Sequence, residues 1–155
     1  MSKNKEPKCA CCEHGTEHVE KLEQDSINEY GWYAHFIHGD DERNTPTGLN
    51  IHTHHLPENF NHPDLQIVVP VSFKMANIMM GVLHAAVDNY IRKGIKLEPG
   101  KEYSEVINNY KITVAKAKEC ERDVLRIILP GPDGYIQRNE PMVEPYSLQY
   151  KGTIE

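Results

Sequence analysis

The stretch DLQIVVPVSFKMANIMMGVLHAAVDNYIRKG, residues 64–94, decides the architecture of this chain. Its first part, residues 65–71, is a nearly continuous apolar and β-branched run of the kind found where a strand is covered on both faces. Pro70, which has no amide hydrogen for a ladder, closes it. From Met75 onward the period changes. Met75, Ile78, Met79, Val82, Leu83, Ala86, Val87, Tyr90 and Ile91 recur at i, i+3, i+4 and i+7, which places them on one helical face and predicts one long helix. Ser72 suits the N-cap, Arg92 and Lys93 sit where the helix dipole favours cations, and Gly94 is placed for a left-handed stop.

Outward from this centre the segments are shorter. Residues 1–15 are polar, without periodicity and rich in cysteine, and read as a tail. A helix is predicted from an N-cap at Thr16, with Val19, Leu22, Ile27 and Tyr30 on a shallowly buried face and Gly31 as its stop. WYAHFIH, residues 32–38, and LNIHTHHL, residues 49–56, read as strands on either side of a charged, turn-rich loop. PENFNHP reads as a turn into the central strand. Beyond Gly94, LEPGKEY reads as a connection, KITVAKA (residues 111–117) and VLRIIL (124–129) as strands, and GPDG at Gly131 as the turn closing that hairpin region. The alternation of Tyr146, Leu148 and Tyr150 suggests a final edge segment. This order is not the strand–helix alternation of a doubly wound sheet. It predicts a single α+β domain over residues 16–155, a mainly antiparallel or mixed sheet covered by one long central helix and a shorter N-terminal one. A small β-barrel with a covering helix is the alternative.

A chain of 155 residues buries about 68–70% of its unfolded surface, enough for a core without disulfide staples. Its formal net charge of −6, with no basic stripe, argues against nucleic acid as a partner. The absence of a signal-like or membrane-length apolar run predicts a cytoplasmic protein without membrane attachment. There, four cysteines are expected as thiols, metal ligands or redox centres. The sequence carries no phosphate loop, no Gly-x-Ser-x-Gly elbow and no His-Glu-x-x-His zinc helix.

Two constellations carry possible chemistry. Cys9, Cys11 and Cys12, with His14 behind them and the distant Cys120, form a candidate zinc set. A Cys-x-x-Cys pair turns two thiolates to one side, although no second pair completes a recognised zinc pattern. Dithiol–disulfide cycling and an inert tail compete with that reading. The second set is His52 and His54, on one side of a strand, with His35 on a strand that lies alongside and His62 nearby. Such imidazoles present a metal site or a general base, or serve only as half-buried hydrogen-bonding residues. His62-Pro63-Asp64 reads as turn geometry, His84 and Asp88 as a surface helix pair, and Lys111, Lys116 and Lys118 as an exposed strand whose edge near Lys116 or Tyr146 offers a homodimer contact.

The order Cys9-x-x-Cys12-Glu13-His14-Gly15, Tyr30-Gly31-Trp32, His62-Pro63-Asp64-Leu65, then LRIILPGPDG and PYSLQ resembles a bacterial family catalogued as domain of unknown function 4262. The resemblance implies no established activity. Its pattern has a Tyr-Thr-x-Gly-Leu segment where this chain has His52-Thr53-His54-His55-Leu56, so the family's glycine is His55 here. By that comparison the cysteine pair and the HPD turn are family features, and the His-x-His pair is not the general family site, unless one branch has specialised on it. The leading expectation is a zinc-binding protein using the N-terminal cysteines. A metal- or His-dependent enzyme, and a non-catalytic module binding a small molecule or protein, are the alternatives.

Overall fold

A computed structural model describes residues 17–39, 45–46, 48–69, 73–137, 142 and 144–154. Six strands form one mixed sheet in the spatial order β1 (Tyr33–Gly39), β2 (Gly48–His54), β3 (Asp64–Val69), β6 (Arg122–Ile128), β5 (Tyr110–Glu119) and β4 (Tyr103–Ile107). Only β3 and β6, at the centre, run parallel. Among the described residues, three α-helices, α1 (Glu17–Tyr30), α2 (Leu56–Phe60) and α3 (Ala76–Asn89), accompany the sheet in an α+β domain. Among the described residues the sheet ends at β1 and β4 and does not close into the alternative barrel.

Every residue of β3 is buried, as its apolar run predicted. Residues directly paired across strands share a face, so the register sorts the sheet into two sides. The pairs Leu49↔Val69, Ile51↔Ile67, Leu65↔Leu125 and Val114↔Ile127 form the apolar side. Onto it α3 lays Met79, Val82, Leu83, Ala86 and Val87, and Trp32, Leu56, Leu97, Tyr103 and Val106 extend the same core. Each such aliphatic side chain contributes about 1.5–3 kcal/mol of transfer free energy when fully buried, which is why the i, i+3, i+4 stripe stays on the sheet.

The structure departs from the sequence reading at several joints. The central α-helix has 14 residues, with short 3-10 turns at Phe73–Met75 and Ile91–Lys93. Tyr90, at φ −126° and ψ −63°, interrupts the helix before Gly94 ends the second turn at φ 77°. The N-cap position is Met75, without a side-chain cap, while Ser72 and Thr16 lie outside the described residues. PENFNHP is not a bare turn. Part of it forms α2, bracketed by left-handed His55 (φ 78°) and Asn61 (φ 52°), and the Leu56 amide donates to Asp64 Oδ1 at 3.2 Å. The strand β4 went unread because its pairing with β5 is irregular and its exposure does not alternate.

The β5–β6 hairpin is closed by Cys120 and Glu121, both left-handed (φ 47° and 71°), as a two-residue type I′ connection needs. GPDG makes a separate turn, in which the Gly134 amide donates to the Gly131 carbonyl at 2.9 Å. At the C-terminus, Tyr146–Tyr150 is a 3-10 helix rather than an extended edge. The Lys116 carbonyl accepts from the amide of Ile154 at 2.8 Å, so the C-terminal segment bridges β5 at that position. His84 is not a partner of Asp88. Its ring lies 4.8 Å from those of Tyr30 and Trp32, and Asp88 pairs with Arg92 at 2.8 Å. Among the described residues, no helix is long and apolar enough to cross a membrane.

Candidate metal centre

The other side of the sheet carries a polar line among buried apolar residues such as Val68, Val124 and Ile128. His35 pairs with His52 across β1–β2, His52 with Gln66 across β2–β3, and Gln66 with Arg126 across β3–β6, so one line of side chains crosses four strands on one face. His54, two residues beyond His52 and opposite Tyr33, projects to the same side. The sequence assigned His52 and His54 to one side of a strand and His35 to its neighbour, and the register makes all three converge.

One ligand nitrogen from each of His35, His52 and His54 lies within 4.8 Å of the others. The ring centroids are 5.6 Å apart for His35–His52, 4.8 Å for His35–His54 and 5.1 Å for His52–His54. His52 is fully buried, whereas His35 and His54 are half-buried, so the group runs from the interior to the surface. Three nitrogens on one tetrahedral ion, with bonds of about 2.0–2.1 Å, stand about 3.3 Å apart. The observed set, within 4.8 Å, would have to close by about 1–2 Å to reach that spacing, on the order of a side-chain adjustment.

Carboxylates flank the imidazoles from two directions. Glu23, on α1, places Oε1 2.6 Å from His35 Nε2. Glu119, at the end of β5, places Oε1 3.7 Å from His52 Nδ1 and is 1% exposed. A buried carboxylate is costly unless its lone pairs are used. Here Gln66 Nε2 donates to Glu119 at 2.6 Å and Asn50 Nδ2 at 3.4 Å. Arg126 Nε donates to Gln66 Oε1 at 2.8 Å, which orients that amide. Arg126 Nη1 donates to the carbonyls of Gln149, at 2.8 Å, and Lys151. Burial lowers the Arg126 pKa to about 10 against the opposing pull of Glu119, so the guanidinium stays charged at neutral pH. Tyr33 stacks on the His54 ring at 5.0 Å and 20°, closing the outer side.

His62 is not part of this group. Its Nδ1 is 2.7 Å from the Pro63 carbonyl and its Nε2 accepts the Leu97 amide at 3.1 Å, so both nitrogens hold the chain. Burial lowers its pKa, more strongly than the Pro63 contact raises it. Asp64 serves the fold in the same way, accepting from Thr53 Oγ1 at 2.9 Å and from Arg122 Nη1 at 2.8 Å. Burial raises its pKa, while Arg122 opposes the shift. Cys9, Cys11, Cys12 and His14 lie outside the described residues. Cys120 sits on the hairpin turn, its Sγ 3.7 Å from Glu119 Oε1, and is not among the converging ligands.

Sequence reasoning missed Glu23, Glu119, Gln66, Asn50 and Arg126. The alternation Ala115, Ala117, Glu119 on β5 held a signal, a lone acid continuing a buried face. Glu23, among the acids of an exposed helix, held none. An apolar depression of about 270 Å³, lined by Ile107, Tyr110, Leu129, Pro130, Gly131, Pro132 and Tyr146, lies toward the β4 edge and shares no residue with the histidines. No protein-family model matches the chain, no curated protein resembles it, and no solved structure matches it.

Proposed function

We propose that this protein binds a divalent transition metal, zinc in the first instance, through His35, His52 and His54. The observation that carries the reading is the approach of three imidazole nitrogens from two paired strands to within 4.8 Å, beside buried Glu119 and half-buried Glu23. An all-imidazole set suits zinc, copper, nickel or iron, and disfavours magnesium and calcium, which prefer oxygen. Three protein ligands would leave a fourth position for water or a substrate atom, the pattern of catalytic rather than structural zinc, and would bring the acidity of bound water near neutrality. The chemistry in reach is polarisation of a carbonyl or phosphoryl oxygen, or attack by that water.

This reading moves the metal from Cys9 and Cys12, where the sequence alone put it, to the strand histidines. Elemental analysis of native protein purified without chelator separates the two. Wild type and Cys9→Ser/Cys12→Ser are expected to carry about one metal per chain, and His35→Ala/His54→Ala to carry almost none. Metal lost in the cysteine variant and kept in the histidine variant would reverse the assignment. We also infer kinship with the domain of unknown function 4262 family. It is supported by the left-handed backbone at His55, φ 78°, where that family's pattern has glycine.

A further inference from the structure

The geometry points to Glu23 and Glu119 fixing opposite tautomers on two facing imidazoles, so that His35 offers Nδ1 and His52 offers Nε2 to the ion of the metal reading above, on which the coordination rests. A neutral imidazole has one N–H and one lone pair, and an ionised carboxylate only accepts. Glu23 Oε1, 2.6 Å from His35 Nε2, therefore accepts a hydrogen bond from the N–H carried on Nε2 and leaves the lone pair on Nδ1. Glu119 Oε1 stands 3.7 Å from His52 Nδ1, too far for a hydrogen bond yet close for a buried charge. Its negative field favours N–H at Nδ1 and leaves the lone pair on Nε2. Glu119 cannot turn away, because Gln66 and Asn50 grip its Oε2 and Arg126 holds Gln66 from behind. The Glu23–His35 pair has the form of a carboxylate–histidine–metal triad, in which the outer acid orients the ring and raises its basicity, and Glu119 acts on His52 through its field.

The two acids ride on different elements, and this gives the site a control. Glu119 belongs to the hairpin end of β5, locked into the sheet, whereas Glu23 belongs to α1, whose described residues are mostly exposed. Docking of α1 and the tautomer of His35 are therefore linked.

Long-range nitrogen–proton correlation spectra of the imidazoles test this on the full chain, metal-free and with one equivalent of zinc, for wild type, Glu23→Gln and Glu119→Gln. Metal-free wild type is expected to show His35 protonated on Nε2 and His52 on Nδ1, and zinc is expected to move the His35 Nδ1 and His52 Nε2 resonances. Glu23→Gln is expected to erase the His35 preference alone, and Glu119→Gln that of His52 alone, each weakening zinc binding by roughly 10–100-fold. Glu23 is part-exposed, so its variant keeps the test readable if the buried one fails to fold. The same tautomer on both rings, or preferences indifferent to both substitutions, would overturn the inference and leave the metal reading standing. Opposite tautomers that zinc does not perturb would confirm the roles of the carboxylates and sink the metal reading.

Discussion

Replacing His54 by Ala is the cleanest perturbation of the site. His54 is half-buried and its ring stacks on Tyr33 at 5.0 Å, so truncation opens no deep cavity and strands no buried charge. The metal-free protein loses the ring contacts of His54 with Tyr33, His35 and His52, of which the stacked Tyr33 pair is worth about 0.5–1.5 kcal/mol. Zinc binding loses far more. Four-ligand zinc sites in small peptides bind with about 10–16 kcal/mol, or roughly 2.5–4 kcal/mol per ligand, so removing one of three nitrogens should weaken the ion by about two to three orders of magnitude. A ligand that binds only the folded state stabilises it by RT ln(1 + [L]/Kd), so at saturating zinc the whole difference appears in the unfolding temperature. At about 2–4 °C per kcal/mol for a chain of this size, the zinc-induced rise should be smaller in the variant by about 5–16 °C. Scanning calorimetry with zinc and with chelator, on wild type and His54→Ala, measures both quantities. A zinc-induced rise of equal size in the two proteins would refute the three-histidine centre and point to ligands elsewhere in the chain.

Leu83→Ala, at a position of α3 with no exposure, should cost about 2–5 kcal/mol in urea unfolding; a loss below 1 kcal/mol would mean that α3 does not hold the sheet as described. Gly31→Ala should cost at least about 1–2 kcal/mol, because Gly31 has φ +88° and a Cβ there would stand 2.9 Å from the Phe60 ring; an unchanged urea midpoint would contradict that backbone. His62, whose pKa burial lowers from the ordinary 6.5, binds its proton more readily in the unfolded chain, so its contribution is complete above about pH 7 and is lost as pH falls below 6.5. In chelator, wild type should show a steeper fall in stability between pH 6.5 and 5 than His62→Gln, by at most about 1.4 kcal/mol per pH unit; parallel curves would show that His62 titrates normally.

The central strand and helix were legible because burial writes a period into the chain: β3 as an unbroken apolar run, α3 as a stripe at i, i+3 and i+4. The His-x-His pair was legible as a shared face for the same reason. Where the reading failed, local propensity was not what decided. The strand β4 exists because β5 offers it an edge, α2 because Asp64, eight residues beyond Leu56, caps its first amide, and the C-terminal turn because Gln149 bonds both backbone groups of Leu129.

What the sequence determined alone is the period of its elements, hence the α+β class, and the pairing of His52 with His54 on one side of a strand. Tertiary structure decided the rest. His35 faces His52 only through the β1–β2 register, Glu119 reaches them only because β5 ends beside them, and Glu23 meets His35 only because α1 folds back against β1. The physical reason is range. Periodicity comes from neighbours within a few residues, whereas a site is built from charges and lone pairs that satisfy one another across strands, here between residues as far apart as Asn50 and Glu119.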